Sequence, residues 1–375
     1  MNVIFTCGGT AGHINPAIAV ANMLKERHPD CKILFIGAKG HMEEKLVPKA
    51  GYELKCLPGS GLVRGISPKA IGKNIKVVGD LLGSVKECKR IIREFQADVI
   101  VGTGGYASFP ALHAGAKLKI PTCVHESNAV PGVTTKMVAA KADRVLVSFE
   151  ESAQYYRNPK KVEVVGMPVR MEFIKTTREE ARKKLGLDSR PLVVSAFGSL
   201  GARAMNYAMT DFMKLEQEAD FPFQHIHATG SYGWKWMPEH LIKEGIDYEH
   251  CNGLDVREYI YDMPIVMAAA DVIISRAGAS TLNEIGASGT PCVLIPSPNV
   301  TNDHQTKNAK ILADRDGAIL LPEGEDMGRK LYDAVTCLLA DKERLARMSA
   351  NLRKLVILDS AERICDIIET LAAKR

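Results

Sequence analysis

The sequence predicts an α/β protein built from two doubly wound, Rossmann-like domains that face each other across a cleft. Two observations carry this prediction. A short apolar strand, a glycine-rich turn and a helix open the chain, and the same order recurs about 190 residues later. Between these points, short apolar runs alternate with helical stretches, which is typical of buried parallel strands.

Length and composition are those of an ordinary globular protein. The chain has 375 residues, of which 46% are apolar and 25% charged, enough for about two or three domains. Its 49 Lys and Arg against 44 Asp and Glu leave a charge of +5, too little to indicate nucleic-acid binding. The nine scattered cysteines form no CxxC pair, so we expect reduced thiols. We also expect no signal peptide and no membrane-spanning helix.

The first predicted domain covers residues 1–167. Strand Val3–Thr6 leads into the loop GGTAGH and a helix at Pro16–Leu24. This loop lacks GxGxxG spacing, and no acidic residue is placed to hold a ribose, so a dinucleotide cofactor is not expected. Further strands are predicted at Lys32–Ile36, Asp98–Val101, Thr122–His125 and Arg144–Val147.

Three polar side chains follow strands of this predicted sheet. His13 lies in the first glycine loop, Tyr106 in GTGGYAS and Glu126 in ESNAVPG. Each has a plain structural alternative: His13 and Glu126 could cap helices, and Tyr106 could be an aromatic wedge. Because the carboxyl ends of parallel strands meet at one edge, three such loops together favour a binding site.

A basic amphipathic segment lies between these loops, at residues 59–82. Lysines border an apolar face at helical spacing, which is the pattern of a helix lying on an anionic membrane surface. A core helix with a solvated basic face is the alternative. The residues of this candidate membrane patch are Ile66, Lys69, Ile71, Lys73, Ile75, Lys76, Leu81 and Leu82.

The second predicted domain covers residues 168–357 and repeats the design. Strand Leu192–Ala196 feeds the glycine loop FGSLGAR, and a helix follows at Ala204–Leu215. We predict strands at Gln224–His227 and Tyr248–Cys251, and a loop or turn at Leu254–Met263. The last helix, about residues 358–375, is expected to pack back on the first domain.

The stretch Asp271–Pro298 reads as strand, tight loop, helix and strand. A helix starting near Ser280 or Thr281 would offer free N–H groups to an anion beside Arg276 and Glu284. The alternative is that Thr281 and Glu284 only form a capping box. Asp314 and Asp316 are interpreted as turn residues without a metal ion.

Together, GGTAGHINP, GGYAS, HESNAVPG, GMPVR, FGSLGAR, SRAGASTLNEI and HQTKNA resemble the MurG family of bacterial glycosyltransferases across nearly the whole chain. The resemblance implies a GT-B fold. It also implies inverting, metal-independent transfer of N-acetylglucosamine from UDP-N-acetylglucosamine to the C4 hydroxyl of the N-acetylmuramic acid of lipid I, which gives lipid II. The implied partners are UDP-N-acetylglucosamine, lipid I and an anionic membrane surface. The implied location is peripheral, at the cytoplasmic face of the cell membrane, and no cofactor is expected.

The resemblance also assigns roles to individual residues. The backbone near Ile260 would read uracil, Glu284 would hold the ribose hydroxyls, and Gln305 would read the sugar. The implied UDP-N-acetylglucosamine-binding residues are Thr10, Gly12, Asn128, Arg170, Ser199, Ile260, Ala279, Thr281, Glu284 and Gln305. The candidate catalytic residues are His13, Glu126 and Tyr106, and the acceptor-binding or supporting residues are Asn206, Arg276 and Asn308.

The chain departs from the family pattern at several positions. Ser127 and Leu200 each stand where glutamine is usual, and Met167 where asparagine is usual. Phe197 replaces a glycine and Thr135 a frequent asparagine. Most of these changes remove an amide, so they bear on contacts with the acceptor more than on the fold.

The residues support such a transfer on chemical grounds as well. Inversion requires a base for the acceptor hydroxyl, and His13 titrates nearer neutrality than Glu126 does unless burial raises the carboxyl pKa. Helix amino termini and Arg170 can stabilise the departing diphosphate. A transferase with another acceptor, a UDP-N-acetylglucosamine epimerase and a non-catalytic nucleotide-sugar-binding protein remain alternatives.

Overall fold

The computed structural model describes residues 1–58 and 68–374, and for residues 68–79 and 301 it describes the backbone alone. Two compact units divide the chain. Unit 1 comprises Met1–Val169 and Ile357–Arg375, and unit 2 comprises Arg170–Val356. The expected boundaries were 167/168 and 357/358.

Unit 1 is a parallel sheet with helices on both faces. Its strands lie in the order β3-β2-β1-β4-β5-β6-β7. The first part of the chain forms β1 (Asn2–Thr6), α1 (Ala11–Arg27), β2 (Lys32–Ala38), α2 (Glu43–Lys49), β3 (Glu53–Leu57), α3 (Pro68–Phe95), β4 (Val99–Gly102), α4 (Ser108–Lys117), β5 (Thr122–Glu126), α5 (Val133–Ala139), β6 (Arg144–Val147) and β7 (Val162–Val164), with 3₁₀ helices at Glu150–Tyr155 and Pro159–Lys161.

Unit 2 is a second parallel sheet, with the strand order β10-β9-β8-β11-β12-β13. Its elements are α6 (Glu172–Lys175), α7 (Arg178–Lys184), β8 (Leu192–Ala196), α8 (Arg203–Glu218), β9 (Gln224–Ala228), α9 (Gly230–Gly233), α10 (Met237–Lys243), β10 (Leu254–Arg257), α11 (Met263–Ala269), β11 (Val272–Ser275), α12 (Ala279–Ser288), β12 (Cys292–Leu294), α13 (His304–Ala313), β13 (Ala318–Leu320), α14 (Met327–Ala340) and α15 (Lys342–Leu355), with a 3₁₀ turn at Thr301–Asp303.

The chain then returns to unit 1 as α16 (Ser360–Ala372). This helix packs on α1, and its Ile364, Ile368 and Leu371 join the core that contains Phe5 and Leu24. The opposite face of the sheet carries a second core, under α3 and α4. Both cores form because these central strands are apolar on both faces.

The predicted strand at Tyr248–Cys251 is wrong. Those residues form a turn, and the strand is β10, at Leu254–Arg257, where a loop was expected. β10 lies at the edge of its sheet, and Arg257 forms a hydrogen-bonded ion pair with Asp255 there. An edge strand needs no continuous apolar run, so its pattern resembles a loop.

No helix among the described residues is both long and apolar enough to cross a membrane.

Candidate active site

Each sheet has one point where the strand order reverses. In unit 1 this point lies between β1 and β4, and in unit 2 it lies between β8 and β11. The loops that leave neighbouring strands there turn to opposite faces of the sheet, which opens a crevice at the carboxyl ends. The loops that follow these four strands are GGTAGH, GTGGYAS, FGSLGAR and SRAGAS. The sheet topology therefore places these sequence motifs at the expected ligand-binding edge.

The two glycine loops of unit 1 interlock. Gly104 and Gly105 both have positive φ, of 109° and 85°. A Cβ on Gly105 would lie 2.3 Å from the Gly8 oxygen, and one on Gly104 would lie 2.6 Å from Nδ1 of His13. Side chains at these positions would force the loops apart. Glycine therefore lets the loop after β4 support the loop after β1.

His13 is held in one orientation in the first turn of α1. Its Nδ1 lies 2.9 Å from the Thr103 carbonyl oxygen, and the Thr103 hydroxyl donates to the His13 carbonyl at 2.6 Å. A carbonyl oxygen can only accept, so Nδ1 carries the proton and Nε2 carries the lone pair of the neutral ring. In the same segment, Thr10 is the exposed N-cap of α1 and Gly12 is half-buried.

Glu126 is bonded by both carboxylate oxygens. Its Oε1 accepts from the backbone and side-chain amides of Asn128 at 3.0 and 3.1 Å. Its Oε2 accepts from the Gly132 N–H at 3.0 Å. The side chain is 3% exposed. These bonds close the loop after β5, so the carboxylate serves to organise that loop.

The Tyr106 hydroxyl points into the protein. Its oxygen is buried, and burial raises the pKa of Tyr106, with the negative charge of Asp80 on α3 raising it further. A phenol whose pKa is raised stays protonated near neutral pH, so Tyr106 can act there only as a neutral group. Its position against α3 fits the aromatic-wedge interpretation.

The glycine loop of unit 2 presents an exposed tip. Ser199 and Leu200 are exposed, while their carbonyl oxygens accept from Ser231 N–H at 3.1 Å and Tyr232 N–H at 3.2 Å. Gly201 has a φ of 78°, and a Cβ there would lie 2.0 Å from the Thr229 oxygen. This close approach keeps the loop against the segment after β9.

Helix α12 begins earlier than the sequence indicated. Its N-cap is Gly278 and its first residue is Ala279, one residue before the predicted start near Ser280. Thr281 is the third helical residue and Glu284 lies in the second turn, which does not match a capping box beginning at Thr281. Burial raises the pKa of Glu284 to about 7, and the positive charge of Arg170 lowers it.

A pocket of about 380 Å³ lies in unit 2. Arg170 and Tyr261 line it together with Asp262 and Ile265. The preceding residue Ile260 is 2% exposed, so it can offer a ligand chiefly its backbone. Ala279 is also buried, at 8% exposure. Both residues are thus in buried segments. Ile260 directly precedes a residue that lines the pocket, and Ala279 begins α12.

The other predicted polar residues of unit 2 bond within the protein. The Arg276 guanidinium donates to the carbonyl oxygens of Ile295 and Pro296 at 3.1 and 3.2 Å and pairs with Glu323 at 2.6 Å. Asn206, fully buried, donates to the Thr229 carbonyl at 2.8 Å.

The polar loop after β12 is tied down in the same way. Gln305 accepts from the Ser297 N–H at 2.8 Å, and Asn308 donates to the Ala277 carbonyl at 3.3 Å. These bonds connect the loops after β11 and β12 to α13. Asn206, Arg276, Gln305 and Asn308 thus shape the carboxyl edge of unit 2.

Two residues that sequence reasoning did not single out help to build the site of unit 1. Thr103 fixes the tautomer of His13, although it lies inside a loop that had been identified. Glu43 bonds the first glycine loop from α2, and no motif near it indicates this contact.

Most of the candidate membrane patch falls outside what the structure describes. Ile66 lies outside the described residues, and the side chains of Lys69, Ile71, Lys73, Ile75 and Lys76 do as well. The backbone from Pro68 onward is the helix α3. Of the described patch residues, Leu81 is half-buried and Leu82 is 69% exposed.

In the part of the chain that the structure describes, no three His, Cys, Asp or Glu side chains group closely enough to hold a metal ion. Asp316 lies in the turn after α13 and pairs with Arg347 at 2.7 Å.

Comparisons with known proteins identify the family. Residues 3–147 match the glycosyltransferase family 28 N-terminal domain, and residues 192–367 match the C-terminal domain of that family. The UDP-N-acetylglucosamine--N-acetylmuramyl-(pentapeptide) pyrophosphoryl-undecaprenol N-acetylglucosamine transferase of Acetivibrio thermocellus is 39% identical, over 99% of this chain and 98% of its own.

Solved structures agree with the sequence comparison. The crystal structure of Acinetobacter baumannii MurG is 25% identical, with a TM-score of 0.74, covering 98% of this chain and 99% of its own. The UDP-GlcNAc 2-epimerase of Neisseria meningitidis, at 13% identity and a TM-score of 0.67 over 99% of this chain and 100% of its own, shares the fold alone. The chain therefore has a GT-B fold and belongs to the MurG family of glycosyltransferases.

Proposed function

We propose that this protein transfers N-acetylglucosamine from UDP-N-acetylglucosamine to lipid I, the undecaprenyl-diphosphate-linked N-acetylmuramyl pentapeptide, and so makes lipid II for peptidoglycan synthesis. One observation carries the proposal: relatives whose names describe this transfer match the chain at 39% identity over 99% of its length.

In the proposed reaction, the C4 hydroxyl oxygen of the acceptor sugar attacks the anomeric carbon of N-acetylglucosamine. The bond between that carbon and the diphosphate oxygen breaks on the opposite side, so the configuration inverts. The hydroxyl proton passes to a base on the protein, and UDP leaves with the electron pair.

His13 is the base that we assign to this step. Its Nδ1 donates to the Thr103 carbonyl oxygen, which sets the tautomer in which Nε2 is the basic nitrogen of the ring. Glu126 accepts through both of its oxygens, so we assign it to loop organisation. We assign Tyr106, whose hydroxyl oxygen is buried, to support of the loop after β4.

The donor residues proposed in unit 2 hold UDP without a metal ion. The backbone beside Ile260 reads uracil next to the pocket that Arg170 lines, and Glu284 accepts from the ribose hydroxyls. Ser199 and Arg170 lie at the diphosphate, and the amino terminus of α12 adds positive potential. Gln305 and Thr281 complete the sugar end of this proposed site.

Peripheral binding at the cytoplasmic face of the membrane is also part of the proposal. The described end of the patch supports it, because Leu82 is 69% exposed on α3. A basic cluster also surrounds His113 on α4: burial lowers the pKa of His113, and the positive charges of Lys141, Lys117 and Lys89 lower it further. Lysines around exposed apolar residues suit an anionic lipid surface.

The test is to incubate the pure protein with UDP-N-acetylglucosamine and a lipid I analogue and to identify the products by mass. A product heavier by one N-acetylglucosamine residue is expected, with stoichiometric UDP. Interconversion of the UDP-sugar without an acceptor would identify an epimerase instead. UDP binding without any turnover would identify a non-catalytic binding protein.

A further inference from the structure

Glu43 is a charged residue buried at the start of α2. It is 0% exposed, and its two carboxylate oxygens bond different loops. Oε2 accepts from the Gly9 N–H at 3.1 Å, and Oε1 accepts from the Ala38 N–H at 2.9 Å. A buried carboxylate is costly unless its oxygens are hydrogen-bonded, so these two bonds hold it in place.

Two glycines leave room for this carboxylate. A Cβ on Gly8 would lie 2.8 Å from Oε1 of Glu43, and one on Gly37 would lie 2.6 Å from its Cγ. Neither glycine has a positive φ, so backbone conformation does not require glycine at either position. The missing side chains instead form a cavity that the Glu43 side chain fills.

We call the two hydrogen bonds from Glu43 to Gly9 and Ala38 the clamp. Its effect reaches His13 through the backbone of the loop after β1. Glu43 bonds Gly9 on one side of the loop after β1, while Gly105 packs against Gly8 on the other. Thr10 follows, and its carbonyl accepts from the His13 N–H at 3.1 Å. The position of the imidazole thus depends on a loop that is held from both sides.

We infer that Glu43 is a positioning residue for the transfer reaction: by clamping the Gly8–Gly9 backbone, it sets the place of His13 relative to the acceptor hydroxyl. The inference rests on the proposed function. It also predicts that the Gly9 N–H serves Glu43 and is not an anion-binding donor, because a phosphate would compete there with a buried carboxylate.

The variant that tests this inference is Glu43→Gln. An amide oxygen can still accept one N–H, but the amide NH₂ faces the other N–H as a second donor, so one of the two bonds is lost. Misplacement of a reacting group by about 1 Å costs on the order of 100-fold in rate. We expect kcat to fall between about 10-fold and 100-fold, with calorimetric UDP affinity within about twofold of wild type.

Glu44→Gln is the matched control, since Glu44 is the next residue of α2 and is exposed. It should leave kcat and UDP affinity unchanged. A kcat for Glu43→Gln within about twofold of wild type would overturn the inference. An equal loss of UDP affinity would overturn it too, because Glu43 would then support the fold in general.

Amide hydrogen exchange keeps this test separate from the proposed function. Glu43→Gln should speed exchange in peptides covering residues 6–14 or residue 38, and Glu44→Gln should not. If wild type transfers no sugar, the proposed function fails, and the clamp is then judged by exchange alone. If Glu43→Gln left the exchange rates of these peptides unchanged, the inference that Glu43 clamps the loop would be wrong, whatever the activity of the variant.

Discussion

At the scale of single residues, His13 and Glu126 differ in the bonds that they already make. Each oxygen of Glu126 accepts at least one N–H, so both oxygens are engaged in closing the loop after β5. The bond from His13 to Thr103 instead fixes the tautomer in which Nε2 can accept a proton. These differences support the proposal that His13, and not Glu126, is the base.

We expect His13→Ala to lower kcat by about 10²–10⁴-fold, because a positioned base contributes that much. UDP affinity should stay nearly unchanged, since the proposed uridine-binding residues belong to unit 2. Single-turnover transfer and calorimetry measure the two quantities. His28→Ala, at the exposed far end of α1, is the control. If Glu126→Gln were the more damaging change and His13→Ala stayed within a few-fold of wild type, the base would be Glu126.

The proposed contact of Glu284 with the ribose predicts that UDP binding depends on pH. Its pKa is raised to about 7, and only the ionised carboxylate accepts from both ribose hydroxyls. UDP affinity measured by calorimetry should therefore rise between pH 6 and pH 8. Glu284→Ala should weaken binding by about 1–3 kcal/mol at pH 8. If wild type and Glu284→Ala bound UDP with equal affinity at pH 8, Glu284 would not be a UDP-binding residue.

The same raised pKa has a consequence for stability. The folded protein holds a proton on Glu284 that the unfolded chain releases at lower pH, so this group stabilises the fold below the ordinary carboxyl pKa. That contribution is lost as the pH rises through about 7. Glu284→Gln, which keeps the neutral shape, should raise Tm relative to wild type at pH 8 and change it little at pH 4.5. The ionised form of Glu284, which the proposed ribose contact requires, is therefore the form that lowers the stability of the fold.

At the scale of elements, α3 carries the membrane proposal. Each Lys near an anionic surface contributes about 1 kcal/mol, and salt weakens the effect. Lys69→Glu/Lys73→Glu/Lys76→Glu should reduce co-sedimentation with anionic vesicles and leave UDP binding intact. The control is a second triple variant that changes the net charge by the same amount at exposed positions of unit 2, Lys183→Glu/Lys184→Glu/Lys243→Glu. If both triple variants lost co-sedimentation equally, the interaction with vesicles would depend on net charge and not on the α3 patch.

The sequence predicted central strands better than edge strands. β1, β4, β8 and β11 are short apolar runs because helices cover both faces, and each was found within a residue or two. The edge strand β10 was mistaken for a loop, and no strand was predicted at β3, whose residues are mostly exposed. Edge strands face water and lack the apolar run by which buried strands are recognised.

Candidate site residues were predictable where they lie in glycine loops at strand ends. His13, Ser199 and the start of α12 all follow from that pattern, because parallel topology brings such loops to one edge. Glu43 was not predictable, since its role depends on the space that Gly8 and Gly37 leave in three dimensions. The internal bonds of Arg276 and Asn206 were hidden for the same reason.

At the scale of the whole molecule, we predict that transfer survives EDTA. The proposed stabilisation of the diphosphate comes from Arg170, Ser199 and the amino terminus of α12, and these groups do not require a divalent ion. Initial rates with and without chelator, followed by Mg²⁺ addition, measure this. Activity abolished by EDTA and restored by Mg²⁺ would contradict the mechanism.

The return of the chain to unit 1 bears on how the protein is made. Residues 170–356 are continuous, whereas unit 1 also needs residues 357–375. A ribosome that has just released residue 356 has supplied all of unit 2 but not α16. Burial of each large apolar side chain contributes about 1.5–3 kcal/mol, and Ile364, Ile368 and Leu371 belong to the core of β1 and α1. The domain that is synthesised first is therefore the one that is completed last.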